Sequence, residues 1–300
     1  MTSIHSRPLA KYPRTAHLEG SRLQPGDDGS DQLPLAALAC RHVVIEEKMD
    51  GANCGLSFDE GGALLLQSRG HYLAGGFGER QFNWLKPWAQ AHADPLLGVL
   101  EDRWLLYGEA MYAKHSVWYD RLPHWLLEFD LLDRHSGRFL STPRRQAMLA
   151  GLPIVSVPVL YAGPMPTDAR QLWKLVFRSL AKSRQWRHGF EAQVQREGQS
   201  LVLCWQKSNI SDAAEGLYLK VENADFVEAR YKLVRPGFHQ TILDSGSHHL
   251  MRPLLPNQLA DGVDLYADSP PQGCPWGLAP LNSLEALRAF DPQRFVASRP

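Results

Sequence analysis

Three short apolar segments between residues 42 and 68 most constrain the fold of this chain. Residues 42–49 read His-Val-Val-Ile-Glu-Glu-Lys-Met, residues 54–58 read Cys-Gly-Leu-Ser-Phe, and residues 63–68 read Ala-Leu-Leu-Leu-Gln-Ser. Short apolar runs bounded by Gly, Asp and Asn are typical of β-strands. Because Asp50-Gly51 is a strong signal for a tight turn, the pattern predicts a compact antiparallel arrangement.

The rest of the chain mixes strands and helices without the regular alternation of βαβ units. This irregular order predicts the α+β fold class, with antiparallel sheets and flanking helices. A short helix over 31–39 has Ser30 or Asp31 as a candidate N-cap, and the end of the chain after residue 269 is weakly helical. Further helices are predicted over 79–92, 142–150 and 168–195, and further strands over 103–111, 125–133, 202–206, 216–221 and 230–234.

Composition excludes several classes of protein. Lys plus Arg and Asp plus Glu both number 32, so overall charge points to neither a polyanion nor a membrane surface. The apolar stretches fall short of the roughly 18 residues that span a bilayer, and the N-terminus lacks the apolar region of a secretory signal. The cysteines contain no C-x-x-C pair, which argues against a disulfide framework or structural zinc. These features predict a cytoplasmic protein.

Length and composition also bear on domain organisation. With 300 residues of which 44% are hydrophobic, the chain can bury a sizeable core. We expect a single domain over 1–300, with an N-terminal arm over 1–34 and a C-terminal tail over 269–300. Residues 170–187 contain six Lys or Arg and no acid. This basic segment is either a solvated helix face or a rail that contacts phosphates.

One constellation is a candidate for catalysis. The sequence contains no P-loop, H-E-x-x-H or G-x-S-x-G motif, but Lys48 ends an apolar strand directly before Asp50-Gly51. Alone, this Lys-x-Asp-Gly motif is a weak signal, since its usual explanation is a hairpin with a surface lysine. It is followed in order by Ser-Arg-Gly at 68–70, Leu-Tyr-Gly-Glu at 106–109, Phe-Asp at 129–130, a Glu-Gly strand from 215 and a basic strand over 230–235.

This ordered series resembles the covalent nucleotidyltransferase superfamily of ATP-dependent RNA ligases, DNA ligases and mRNA capping enzymes. The similarity covers about residues 42–235 and is greatest to the RNA ligase branch. It implies a nucleotidyltransferase domain in which Lys48, Glu215 and Lys232 are catalytic. The residues that it implies for nucleotide binding are Glu47, Asn53, Arg69, Glu109, Phe129 and Arg230.

The resemblance also implies individual roles. Lys48 would carry AMP, Lys232 would contact the α-phosphate, and Glu215 would serve both nucleotide and metal. Arg69 and Glu109 would bind the ribose, while Phe129 would stack on adenine. Each has an ordinary alternative, since Phe129 also fits core packing, the glutamates fit strand ends and Arg69 fits a turn. Arg230 stands where RNA ligases often have lysine, which keeps the charge but changes the donor geometry.

The implied activity is ATP-dependent joining of RNA 5′-phosphate and 3′-hydroxyl ends in RNA repair, with Mg²⁺ or Mn²⁺ and through lysyl-AMP. Alternatives are a DNA ligase, a GTP-using capping enzyme and a non-catalytic nucleic-acid-binding module. We expect no separate OB domain, because the residues after 235 are poor in alternating strands. Residues 11–15, His17, the Arg-Pro-Gly-Phe run at 235–238 and the Pro-Asn pair at 256–257 also look like those of bacterial RNA ligases with a single catalytic domain.

A nucleophilic lysine must lose its proton. The ordinary lysine pKa near 10.4 leaves little free amine at neutral pH. We expect Lys232, Arg230 and a divalent metal at Glu215 to lower the pKa of Lys48 by charge repulsion.

Overall fold

The computed structural model describes residues 7–23, 27, 32–238, 254–271 and 273–299. Within these residues, two six-stranded sheets and flanking helices form the fold. The strands are β1 (Ala16–Leu18), β2 (Gln32–Leu33), β3 (His42–Glu47), β4 (Ala52–Phe58), β5 (Leu64–Ser68), β6 (Trp104–Ala110), β7 (Leu126–Asp133), β8 (Arg138–Phe139), β9 (Val155–Ser156), β10 (Val159–Pro164), β11 (Gly216–Glu222) and β12 (Val227–Val234). The α-helices are α1 (Leu85–Ala91), α2 (Ala93–Leu100), α3 (Thr142–Leu149), α4 (Ala169–Trp173), α5 (Trp186–Arg196), α6 (Leu201–Gln206), α7 (Leu284–Ala289) and α8 (Pro292–Ser298).

The first sheet has the order β10-β3-β11-β12-β1-β2, and the second has the order β5-β4-β6-β7-β8 with β9 beside β7. Most neighbouring strands are antiparallel, which confirms the predicted α+β class. The exceptions are β1 with β12, β1 with β2 and β7 with β9, which are parallel. The N-terminal segment therefore extends the first sheet, so that His17 lies opposite Lys232.

The main core lies between the two sheets. Along β6, Leu105 and Tyr107 pack into this core, whereas Leu106 packs with Trp88 and Leu96 from the helices on the outer face. Both faces of β6 are therefore buried, which explains its nearly continuous apolar sequence. None of the helices in the described part of the chain is long and apolar enough to cross a membrane.

The prediction of one helix over 168–195 is wrong. Helix α4 ends at Trp173 and α5 begins at Trp186. Between them, the Phe177 carbonyl accepts from the Ala214 amide and the Ser179 amide donates to the Asp212 carbonyl, at 2.9 and 3.0 Å. These long-range backbone hydrogen bonds replace those of a helix.

Part of the basic segment is used for contacts within the protein, so it is not a uniformly solvated helix face. Lys174 Nζ donates to the Arg288 carbonyl at 2.9 Å, and Arg178 donates to the Val296 carbonyl at 3.2 Å. Arg184 donates to the Ala297 carbonyl. Cationic donors at the C-terminal turns of helices satisfy carbonyls that lack partners within the helix. Part of the positive charge thus holds α7 and α8 in place.

The strand predicted over 202–206 is instead helix α6. Ser200 caps it by accepting from the Leu203 amide, and Leu201, Cys204 and Trp205 pack against one cluster. Their spacing is that of one helix face.

Two predicted helices are shorter than expected. Over 79–92, a 3-10 helix (Phe77–Phe82) precedes α1, because the ring of Pro87 would clash with the Asn83 carbonyl in a continuous helix. Over 31–39, strand β2 is followed by a 3-10 helix (Leu35–Leu38), and the proposed caps Ser30 and Asp31 lie outside the described residues.

Candidate active site

A cavity of about 330 Å³ collects residues from both sheets and from the N-terminal segment. Eight of the nine residues singled out from the sequence line it, and Arg230 does not. The eight are Lys48, Glu47, Asn53, Arg69, Glu109, Phe129, Glu215 and Lys232. Residues that are far apart in sequence therefore face a common space.

The turn after β3 fixes the position of Lys48. The Lys48 amide donates to the Gly216 carbonyl at 3.0 Å. The buried Asp50 carboxylate accepts from the amides of Ser116 and Val117, both at 2.7 Å. A Cβ on Gly51 would lie 2.7 Å from Met111 Sδ, so the close approach requires glycine. The Lys-x-Asp-Gly motif thus forms a rigid support rather than a solvated surface hairpin.

Lys48 is partly exposed to the cavity and paired with a buried carboxylate. Its Nζ lies 2.9 Å from Glu215 Oε1, and the side chains are 25% and 2% exposed. Burial alone would lower the pKa of Lys48, but Glu215, with Glu109 and Asp50, outweighs burial and raises it. The expectation that neighbouring cations lower this pKa is therefore wrong for the free protein, because carboxylates surround the amine.

Glu109 and Glu215 are poorly solvated. Burial raises the pKa of Glu109 to about 8 and that of Glu215 to about 7, although Lys48 opposes both shifts. Glu109 Oε2, Glu215 Oε2 and Asn53 Oδ1 are buried without a hydrogen-bond partner among the described residues. Asn53 and Glu109 are paired residues of β4 and β6. These acceptor atoms are therefore available to a ligand in the cavity.

Phe129 lines the cavity while remaining 8% exposed. The ring of Tyr12 meets it edge to face, with centroids 5.1 Å apart. The Tyr12 hydroxyl donates to Asp130 and lies 2.8 Å from the Tyr218 hydroxyl. The N-terminal segment thus holds Phe129 in place, and both core packing and cavity lining describe its position.

Arg230 lies outside the cavity lining because a buried carboxylate binds it. Its Nε donates to Asp130 Oδ2 at 2.9 Å, and its guanidinium lies 3.7 Å from the Phe139 ring centroid. Alternate residues of a strand share one face, so Arg230 and Lys232 point the same way but at different distances along β12. Only Lys232 reaches the cavity.

The carboxylate of Glu47 is bound by the protein itself. It accepts from the Ser179 hydroxyl at 2.5 Å and from the Leu180 amide at 3.0 Å. These contacts join β3 to the segment between α4 and α5. Glu47 therefore lines the cavity with its carboxylate already satisfied.

The sequence interpretation did not identify Asp27, Glu46 or Tyr218, all of which line the cavity. Glu46 belongs to a buried network in which its Oε1 accepts from Arg145 and Lys220, at 3.0 and 2.9 Å. Two adjacent glutamates within an apolar strand were a signal that this network exists. For Tyr218 no comparable local signal existed, since its position depends on contacts with residues 12 and 15.

The donor atoms fit a divalent cation that also binds phosphates. Among the described residues, no group of three His, Cys, Asp or Glu side chains could hold a metal alone. Mg²⁺ commonly uses one or two carboxylates together with substrate phosphates. The unpartnered Oε2 of Glu215 matches that mode.

Comparisons with known proteins find solved structures and one family that are similar to this chain. A variant of Naegleria gruberi RNA ligase with ATP and Mn is similar at 14% identity and TM-score 0.44, covering 76% of this chain and 61% of that one. The same enzyme with PPi has 14% identity and TM-score 0.40, covering 76% and 61%. The chain thus spans about three fifths of the length of these structures. A search of curated proteins found no match. The profile of the RNA ligase family matches residues 41–234, well over half of the sequence, and the chain therefore belongs to the RNA ligase family.

Proposed function

We propose that this protein is an ATP-dependent RNA ligase that joins 5′-phosphate and 3′-hydroxyl ends through Lys48. The observation that carries the proposal is the position of Lys48, at the end of a buried strand and facing a cavity shared with Glu109, Phe129 and Lys232. This cavity holds groups suited to a base, a ribose and a phosphate.

Six residues of the cavity have a proposed role in nucleotide binding. Phe129 stacks on the adenine, an interaction worth about 1–3 kcal/mol per base. Glu109 and Asn53 offer unpartnered acceptor oxygens to the nucleoside, and Arg69 contacts the ribose. Lys232 neutralises the α-phosphate. Glu47 contributes through its placement beside Lys48, because its carboxylate is occupied.

In the first step, the Lys48 amine attacks the α-phosphorus, a P–N bond forms, and the bond to pyrophosphate breaks. The attacking amine must first lose a proton. Glu215 Oε1 is 2.9 Å away, and burial raises its pKa to about 7, so it is placed to accept that proton. AMP then passes from Lys48 to the 5′-phosphate of the strand, and the 3′-hydroxyl displaces AMP to form the phosphodiester bond.

Glu215 would hold Mg²⁺ or Mn²⁺ together with nucleotide phosphates. A bound divalent ion neutralises charge on the reacting phosphate. Arg230 has a supporting role, since it pairs with Asp130, which also accepts from the hydroxyl of Tyr12, the ring that packs against Phe129.

We also propose RNA as the macromolecular substrate and the cytoplasm as the location. All four cysteines are free, and Cys40 and Cys274 are exposed. Exposed thiols without disulfides suit a reducing compartment.

The test is sealing of nicked duplexes that differ only in ribose or deoxyribose at the nick, with ATP and Mg²⁺. We expect sealing where the 3′-hydroxyl strand is RNA, and none with Lys48→Ala. Sealing of all-DNA nicks in preference would indicate a DNA ligase, and labelling by GTP rather than ATP a capping enzyme. Binding of RNA without any labelling would leave only a binding module.

A further inference from the structure

The N-terminal strand places a buried histidine, His17, next to Asp27 and Lys232, two residues that line the cavity. β1 runs parallel to β12 with His17 paired to Lys232, so both side chains lie on the same face of the sheet. Lys232 Nζ lies 3.3 Å from Asp27 Oδ1, and His17 Nε2 lies 2.9 Å from Asp27 Oδ2. One carboxylate is therefore held between a cation and an imidazole.

The hydrogen bonds around His17 identify which nitrogen carries its proton. Ser21 Oγ accepts from the Val234 amide at 2.9 Å and lies 2.6 Å from His17 Nδ1. An ionised carboxylate only accepts, so His17 Nε2 carries the proton that faces Asp27, and in the neutral ring Nδ1 accepts from the Ser21 hydroxyl. Burial and Lys232 lower the pKa of His17 although Asp27 opposes them, which favours the neutral ring. His17 thus donates Nε2–H to Asp27.

The charged groups of the cavity indicate why the position of the Asp27 carboxylate suits an exchangeable anion. Three other lining carboxylates have direct partners other than Lys232: Arg145 and Lys220 bind Glu46, Ser179 and Leu180 bind Glu47, and Lys48 pairs with Glu215. Asp27 differs, because it occupies Lys232, the cation that the proposed reaction needs for a phosphate. Replacing the carboxylate by a phosphate preserves the local charge balance.

We propose that His17 Nε2–H and Lys232 Nζ form a phosphate subsite for the nucleoside triphosphate, which the Asp27 carboxylate fills in the free protein. The inference rests on the proposed function and extends it to the N-terminal segment. When ATP binds, one of its phosphates takes the place of the carboxylate, and His17 becomes a direct phosphate ligand. The same subsite chemistry would also suit the 5′-phosphate of a strand, which the experiment separates.

The experiment measures ATP affinity by calorimetry with Mg²⁺ in the Lys48→Met background, where binding is not followed by covalent transfer. His17→Asn keeps a group near Ser21 but removes the Nε2–H donor, and we expect about tenfold weaker ATP binding. His17→Gln restores an N–H near the Nε2 position and should bind within about threefold of the parent. Asp27→Asn removes the competing charge and should bind ATP about threefold or more tightly.

We expect His17→Asn to weaken ATP binding and Asp27→Asn to strengthen it. These opposite effects distinguish an exchangeable subsite from a structural ion pair. If both substitutions weaken ATP binding and lower thermal stability together, the contact is structural and the proposal is wrong. His17→Asn could instead leave the ATP affinity unchanged but bind a 5′-phosphorylated nicked RNA more weakly than its 5′-hydroxyl form. That result would assign the subsite to the 5′-phosphate of the strand. His124→Asn is the matched control, because His124 is also buried but contacts the Leu126 and Leu265 carbonyls.

A second measurement does not require ligase activity. We expect ¹⁵N NMR of the wild-type protein to show His17 protonated at Nε2, and inorganic pyrophosphate to shift that signal. If neither variant nor wild type binds ATP, the proposed ligase function fails, and the pyrophosphate titration alone decides on the subsite. Absence of a pyrophosphate-induced shift at His17 would contradict it.

Discussion

The ammonium of Lys48 lies 2.9 Å from the buried carboxylate of Glu215, and this pair sets the protonation state of the free site. Although burial acts in the opposite direction, the Glu215 charge is the first of the effects that raise the pKa of Lys48. Glu215→Gln should therefore lower the pKa of Lys48, because burial then dominates. The measurement is a pH titration of ¹³C-methylated lysines by NMR.

Glu79→Gln is the control for this titration, since Glu79 is the partner of a different lysine, Lys86, at 2.8 Å. It should leave the pKa of Lys48 unchanged. An unaltered or raised Lys48 pKa in Glu215→Gln would show that the ion pair does not control the nucleophile.

The buried Glu109 predicts a pH-dependent stability. Its folded-state pKa is raised to about 8, above the unfolded value near 4.3. Between these values the folded protein binds more protons than the unfolded chain, so Glu109 makes the free energy of unfolding fall as pH rises. In Glu109→Gln this fall should be smaller between pH 5 and pH 8, as measured by urea unfolding. Glu285→Gln, at an exposed position, should retain the wild-type slope, and an equal slope in Glu109→Gln would refute the assignment.

Arg145 and its neighbour Arg144 provide a matched pair for testing the buried charge network. Arg145 is wholly buried and contacts Glu128 and Glu46, at 2.8 and 3.0 Å. Arg145→Met leaves two buried carboxylates without this partner, and we expect a loss of about 3–5 kcal/mol in the free energy of unfolding. Arg144 pairs with Asp225 at the surface, so Arg144→Met should cost at most about 1 kcal/mol. Similar losses in urea denaturation for both variants would contradict the network's role.

The sequence was most informative where function depends on local order. The strand that carries Glu109 and the strands next to Lys48 and Glu215 could be predicted because strand periodicity is a local signal. The expected antiparallel reversal at Asp50-Gly51 is wrong, because β3 belongs to the first sheet and β4 to the second. Lys48, Glu109 and Glu215 also keep the order expected of a nucleotidyltransferase. The shared cavity then follows from how the strands pair.

The remaining features depend on contacts between distant parts of the chain. Asp27 meets Lys232 across 205 positions, and Tyr12 meets Tyr218 across 206. No local sequence pattern predicts contacts between residues so far apart in the chain. The same reason explains why the prediction of one helix over 168–195 is wrong. The apolar residues there have helical spacing, but the backbone forms hydrogen bonds with residues 212–214.

Covalent transfer of AMP to Lys48 is the most direct test of the central claim. The purified protein is incubated with ATP and Mg²⁺, and its intact mass is measured, followed by peptide mapping. The account predicts one added AMP on the peptide that contains Lys48, and no addition in Lys48→Ala. Attachment to another residue, or no mass change in wild-type protein, would contradict the account.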